Sequence, residues 1–214
     1  GTLYILAIAV NKYANSQFDL RYAVADATDF AAELQRQETK IKKYQSTEII
    51  SLQDARATKA NILEAMTGLA ARVKPEDAVV VYYAGHGTAQ QNQFYLIPHD
   101  LGYAGARNQI DAAALQTILG RSISDRELER VFEGIDAGQF LLVIDACNSG
   151  QALEAAEKRR GPMNSKGLAQ LAYEKGMYIL TAAQSFQAAL EAAQLGHGYL
   201  TYALVEEGLK TPVA

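Results

Sequence analysis

A single cysteine and one of three histidines are the residues of this 214-residue chain that could break a bond together, with no third member of a triad apparent. His86 stands in Tyr82-Tyr83-Ala84-Gly85-His86-Gly87, and Cys147 in Asp145-Ala146-Cys147-Asn148-Ser149-Gly150. A thiol of ordinary pKa is mostly protonated at neutral pH, and an adjacent imidazole takes its proton or stabilises the thiolate. Glycines at 85, 87 and 150 let backbone come close to a ligand, and the amides of Gly87 and Cys147 are candidate donors to an oxyanion. Such a set points to acyl transfer by a peptidase or amidase. Each residue also has a plainer reading, because a lone cysteine after a strand is usually an inert hydrophobe and a histidine among glycines a turn residue. The two motifs together favour chemistry.

Both motifs follow apolar runs. Leu3–Val10, Glu48–Leu52, Ala78–Ala84, Phe140–Ile144 and Met177–Leu180 are continuous rather than alternating, which predicts five parallel-type strands buried on both faces. Val24, Ala27, Ala31 and Leu34 fall on one face of a helix over Tyr22–Arg36, and Ile62, Met66, Leu69 and Val73 do the same before the third strand. Ser124 and Glu127 have capping-box spacing, with Ile123 placed to staple onto Leu128, so a helix starts there before the fourth strand. Tyr199–Leu209 supplies a last helix. The alternation predicts right-handed crossovers with helices on both faces of a mostly parallel sheet. In such sheets function collects at the carboxyl ends of strands, where His86 and Cys147 stand if their strands are neighbours. Two segments interrupt the rhythm. Gln90–Gly120 reads as a hairpin followed by a loop or short helix, and Gln151–Lys166, with Glu-Lys-Arg-Arg-Gly-Pro at Glu157–Pro162, as an exposed linker.

Composition excludes several classes. With 49% hydrophobic and 21% charged residues the chain is an ordinary globular sequence, long enough for one large α/β domain. One cysteine forbids an intramolecular disulfide and a cysteine-only metal site, and points to a reducing, cytoplasmic setting. A net charge of −4 argues against a nucleic-acid footprint. No run approaches the roughly 18 apolar residues of a membrane helix. The first strand is followed by Asn11-Lys12-Tyr13, with no glycine until Gly68, so a nucleotide-binding fingerprint is absent.

YYAGHG followed by IDACNSG, with Cys147 61 residues after His86, resembles the caspase-like cysteine peptidase superfamily, and D-A-C-x-S-G its metacaspase and orthocaspase branch. The stretches LAIAVNKY at 6–13, LRYAVADATDF at 20–30 and GHGYLTYALVEEGL at 196–209 are similar to that family's first strand, first helix and final helix. The caspase signature with glutamine before Ala-Cys is not matched literally, since Asp145 stands in that place. The resemblance implies a three-layer α/β sandwich of about six mostly parallel strands. It also implies a Cys147–His86 dyad, peptide hydrolysis through an acyl-enzyme, and an oxyanion hole from the amides of Gly87 and Cys147. A large-subunit-like part over about 1–156, a linker over about 157–167 and a small-subunit-like part over about 168–214 follow from the same likeness.

The branch decides specificity. Metacaspase-like members cut after arginine or lysine using acidic residues, and the matching positions here are Asp26 and Asp145. Paired carboxylates give a guanidinium charge-assisted hydrogen bonds and reject an acidic side chain. Ala84 departs from the pattern, which has a serine two residues before the histidine. Arg21 supports the rival reading, cleavage after aspartate, because caspases place an aspartate-binding arginine in that region. A non-catalytic recruitment module is the other alternative, although such members lose the His or Cys. Arg159, Arg160 and Lys166 are candidate self-cleavage positions. His99 reads as a loop residue, and the strand-to-helix context of His197 does not place it beside Cys147. No metal cluster and no required cofactor are expected. Calcium activates many metacaspases, but no D-x-[DN]-x-[DN]-G loop is present. The expected partners are protein or peptide substrates, with neither nucleic acid nor membrane, and the abrupt ends suggest flanking domains.

Overall fold

The computed structural model describes residues 1–90, 93–148, 166–183 and 196–211, with the side chains at 147, 148, 166, 167 and 183 outside that description. Its parallel core contains β1 (Thr2–Ala9), β2 (Ser46–Gln53), β3 (Ala78–Gln90), β6 (Gln139–Asn148) and β7 (Tyr178–Ala183), in the order β2-β1-β3-β6-β7. Two short antiparallel strands, β4 (Gln93–Leu96) and β5 (Ile123–Ser124), extend the sheet from the far end of β3. All five apolar runs are therefore strands, β1 shifted by one residue at the same length and the other four longer than their apolar stretches.

Strand parity sorts the side chains into two cores. Leu3, Ile5, Ala7 and Ala9 of β1, with Ala78, Val80, Tyr82 and Ala84 of β3 and Val143 of β6, pack against α1 (Ala23–Ile41). Leu6, Ile8, Val79, Val81, Leu142 and Ile144 face the opposite layer. That layer contains α2 (Lys59–Ala70), α4 (Asp125–Glu133) and α5 (Lys166–Lys175), which contribute Ile62, Met66, Leu69, Leu128, Phe132, Leu168 and Leu171. A third helix, α3 (Ala112–Arg121), follows β4. The last helix, α6 (Tyr199–Tyr202), runs on as a π-helix over Ala203–Leu209 and packs Val205 on the α1 side. The result is the three-layer α/β sandwich expected from the alternation. No helix among the described residues is long and apolar enough to cross a membrane.

Several local expectations are met in detail. The Ser124 side chain accepts from the Glu127 amide and the Glu127 carboxylate accepts from the Ser124 amide, so the capping box is complete. The 90–120 region is the β3–β4 hairpin, a turn of 3₁₀ helix over Arg107–Gln109 and α3. Two boundaries move. α1 runs on to Ile41, past the predicted Arg36, where Lys42 ends it in a left-handed conformation (φ 55°). Lys166 opens α5 instead of lying in a linker, so the linker ends before it. The linker positions Arg159 and Arg160 lie outside the described residues.

Candidate active site

β3 changes partners at His86. β1 pairs with β3 only as far as Ala9↔Ala84, and β4 begins on the same edge at Leu96↔Gly87. His86 sits in the gap between them, where no strand receives its backbone amide. The Tyr13 hydroxyl does so instead, at 2.8 Å. Tyr83 donates to the carbonyls of His86 and Ile97, each at 2.8 Å. Gly85 is required beneath this arrangement. A Cβ there would sit 2.7 Å from the Tyr83 hydroxyl and 3.1 Å from that of Tyr13.

The loop after β1 builds the other wall. The Asn11 side chain accepts from the Val24 amide at the start of α1, and Asp19 accepts from the Tyr13 amide at 3.0 Å. Asn15 caps a short 3₁₀ turn over Ser16–Phe18, which delivers Phe18 into the core, fully buried. The Phe18 carbonyl then meets His86 Nε2 at 2.7 Å. A carbonyl can only accept, so Nε2 carries the proton and Nδ1 is left with a lone pair. Nδ1 is buried without a hydrogen-bond partner among the described residues. Leaving such an atom unpaired costs about 1–3 kcal/mol, which marks the position as one that function explains better than stability does. Burial pushes the His86 pKa down to about 4, against the opposing pull of the Phe18 carbonyl and with a further lowering from the Arg107 charge. The imidazole is therefore neutral at physiological pH and able to accept a proton.

On the other edge of β3, the strands pair in register through Ala84↔Asp145, His86↔Cys147 and Gly87↔Asn148. Cys147 thus holds the backbone position directly beside His86, as expected if the two motifs end neighbouring strands. By parity, His86, Asp145 and the Cys147 position belong to the same face of the sheet as Tyr82, Ala84 and Val143, the face that α1 covers. Gly87 is held to glycine by packing, since a Cβ would meet Phe94 at 2.8 Å and Ala146 at 3.0 Å.

The two predicted pocket acids are on that same face, and both are buried. Thr201 of α6 donates to Asp145 Oδ2 at 2.7 Å. Its one hydroxyl proton is then used, so the Tyr82 hydroxyl, 2.5 Å away, is free to donate to Thr201, with Asp145 as its second side-chain partner. A relay Tyr82→Thr201→Asp145 results, and burial beside Asp145 and Asp26 raises the Tyr82 pKa. Asp26 Oδ2 accepts from the Gly198 amide at 2.9 Å, and Oδ1 lies 2.8 Å from His197 Nδ1. Burial lifts the Asp26 pKa to about 6, partly countered by Gly198 and His197 and reinforced by Asp145. His197 Nε2 is also 3.7 Å from Asp29.

Sequence reasoning placed His86, Cys147, Asp26 and Asp145 together. It did not find the Phe18 carbonyl, Tyr13, Tyr82, Thr201 or the engagement of His197 with Asp26. A backbone carbonyl has no sequence signature, and His197 was weighed only as a rival base; its partner comes from a helix 171 residues away. His99 is a loop residue, its Nδ1 against the Lys12 carbonyl. Arg21 is exposed, and its carbonyl accepts from the Asn11 side chain. No group of three or more candidate metal ligands occurs among the described residues.

A caspase-type sheet with a histidine and a cysteine in register at adjoining strand ends defines a class, and the comparisons agree. The profile of the caspase domain family, Peptidase C14, matches residues 3–211. The chain belongs to the caspase domain family of cysteine-type peptidases. Metacaspase-1A of Neurospora crassa is 28% identical over 131 residues, 60% of this chain and 27% of that protein. The crystal structure of protein GSU0716 from Geobacter sulfurreducens is similar in fold, with a TM-score of 0.51 at 17% identity over 97% of this chain and 63% of that one. This chain thus spans about a quarter of the curated relative and under two thirds of the solved one.

Proposed function

We propose that the domain is a cysteine endopeptidase that hydrolyses peptide bonds after arginine or lysine. The observation that carries this reading is the register His86↔Cys147 beside an imidazole whose Nδ1 lone pair is unclaimed. The Cys147 thiol gives its proton to His86 Nδ1, and the thiolate attacks the substrate carbonyl. The amides of Gly87 and Cys147 receive the developing oxyanion. His86 returns the proton to the leaving amine as the C–N bond breaks, leaving an acyl-enzyme. Water, deprotonated by the same imidazole, hydrolyses the thioester and restores the thiol. The Phe18 carbonyl keeps the imidazole in the tautomer this requires. These steps call for no cofactor, and a thiol nucleophile suits a reducing compartment such as the cytoplasm. Calcium is to be tested as an activator.

Asp26 and Asp145 are the proposed recognition site for the basic side chain. Both oxygens of Asp26 are already engaged, so an incoming guanidinium shares that carboxylate with His197 or displaces it. Ala84, paired with Asp145, contributes no hydroxyl there. The proposal extends to a large-subunit-like part over about 1–156 and a small-subunit-like part over about 168–214, with self-cleavage at Arg159 or Arg160 in the linker or at Lys166 where α5 opens.

Fluorogenic peptides ending in Arg, Lys or Asp test the reading, with Cys147→Ala alongside. Turnover after Arg or Lys that is lost in the variant is expected. Turnover after Asp alone would move recognition to Arg21, and no turnover by any preparation, with and without calcium, would leave a recruitment module. Fragmentation on a gel that persists in Cys147→Ala would remove self-processing.

A further inference from the structure

Arg107 is a cation whose charge is felt at the histidine and that has no role so far. Its guanidinium lies over the Phe18 ring, 5.4 Å from the centroid, and Phe18 is the residue whose carbonyl holds His86. The loop bearing it is fixed at several points. The Arg107 amide donates to the Gln17 side chain at 2.9 Å, and Asn15 donates to the carbonyls of Tyr103 and Gly105 at 3.1 and 2.9 Å. Asn15, Gln17 and Phe18 all belong to the turn that shapes the histidine's wall. The guanidinium is half-buried and forms no ion pair among the described residues. Its charge nevertheless reaches His86, where it helps lower the proton affinity.

Its position relative to the acids follows from strand order. β1 lies on one side of β3 and β6 on the other. Phe18 and Arg107 stand at the β1 end of the site, and Asp145 and Cys147 at the β6 end, with His86 between them. The site is therefore bipolar, with the Asp145 carboxylate on the nucleophile's side of the histidine and a guanidinium on the far side. A general acid that protonates the leaving amine faces the part of the substrate that follows the cut bond.

We propose that Arg107 is a specificity-determining residue that binds an acidic side chain just after the cut bond, so that the preferred substrate carries a basic residue followed by an acidic one. The proposal rests on the peptidase reading above. A guanidinium held by its loop and lacking an internal carboxylate is pre-organised for a bidentate contact with Asp or Glu. One consequence concerns the linker. The bonds after Arg159, Arg160 and Lys166 are followed by Arg160, Gly161 and Gly167, none acidic, so self-cleavage there is slower than cleavage of a matched substrate.

The test is binding by fluorescence anisotropy in the Cys147→Ala background, so that turnover plays no part. The probes are labelled peptides containing Arg-Glu, Arg-Gln and Gln-Glu across the cleavage position, and one with the Glu moved ahead of the Arg. Arg-Glu is expected to bind about 10-fold more tightly than Arg-Gln, the gain of one charge-assisted contact. Arg107→Gln should erase that difference, Arg107→Lys restore part of it and Arg107→Glu invert it. Arg-Glu and Arg-Gln binding alike, a preference that survives Arg107→Gln, or an equal gain with the Glu moved forward would overturn the assignment. Preference for Glu without preference for Arg would sink the basic pocket and leave Arg107 standing. Binding of no probe would overturn both. Thermal melts of each variant separate a folding defect from a lost contact.

Discussion

His86 and the two acids, Asp145 close by on the paired strand and Asp26 on the helix that covers their face of the sheet, are held in opposite ways. Two aromatic rings surround the imidazole, Tyr13 with its centroid at 5.0 Å and Phe18 at 6.2 Å, while a single carbonyl fixes one nitrogen and the other is left open. The carboxylates sit in a web of donors drawn from α6, its preceding turn and β3. A group that must accept a proton has to be left short of one, whereas a group that must remain charged out of water needs donors around it. Burial acts on both, opposed at His86 by one carbonyl and at Asp26 by two donors. It drives His86 to its neutral form, the one the proposed mechanism needs, and drives Asp26 towards protonation, which the donors partly resist.

The strongest way to break this contrast is to remove one side of it. Cys147→Ala should lower kcat by at least about 10³-fold and His86→Ala by about 10²–10⁴-fold, with KM for arginine substrates little changed. Asp145→Asn should do the reverse, raising KM for those substrates so that kcat/KM falls about 10- to 100-fold while kcat holds. Steady-state kinetics on one arginine peptide distinguishes these patterns. If Asp145→Asn lowers kcat and spares KM, the acids belong to the chemistry and the division is wrong.

The pH dependence sharpens the comparison. Asp26, with a pKa of about 6, ionises as pH rises from 5 to 7, so KM for arginine peptides should fall over that range, and Asp26→Asn should flatten the change. The stability effect has the opposite sign. A carboxyl whose folded pKa is raised binds more protons folded than unfolded, so its contribution is fully present below about pH 4 and lost as pH rises through about 6. Asp26→Asn should be more stable than the parent at pH 8, by roughly 2 kcal/mol, with the gap narrowing at pH 5 and closing only below about pH 4. His86 behaves inversely, its lowered pKa taking stability away as pH falls from about 6.5 towards 4.

Most of the layered fold was legible because it rests on patterns that survive in one dimension. The continuous apolar runs of β1, β3 and β6 have no use except in a sheet covered on both faces, and the Ser124–Glu127 box is a local hydrogen-bond exchange. The end of α1 was less legible, since polar residues such as Glu38 and Thr39 continue a helix that no apolar face records, and α5 was not expected at all. At the site, the side chains proposed to react were readable and the groups that orient them were not. Tyr13 and Phe18 carry no mark of their parts, which arise from a hydroxyl and a carbonyl that meet His86 only because β1 ends before β3 does.

The smallest effect tests whether the donor web at Asp145 acts as a relay. Tyr82 does not touch the substrate pocket by charge, and it stacks on Phe30 of α1 at 4.7 Å, so Tyr82→Phe keeps the packing and deletes only the hydroxyl. Thr201 would still donate to Asp145 but would lose the proton it accepts from Tyr82, a loss of about 0.5–1.5 kcal/mol in chemical denaturation. If the bonds reinforce one another, the Thr201–Asp145 bond weakens too, and KM for arginine peptides shifts by about 2-fold although no group that meets the substrate has changed. A stability loss with KM untouched would mean that the two hydrogen bonds act independently.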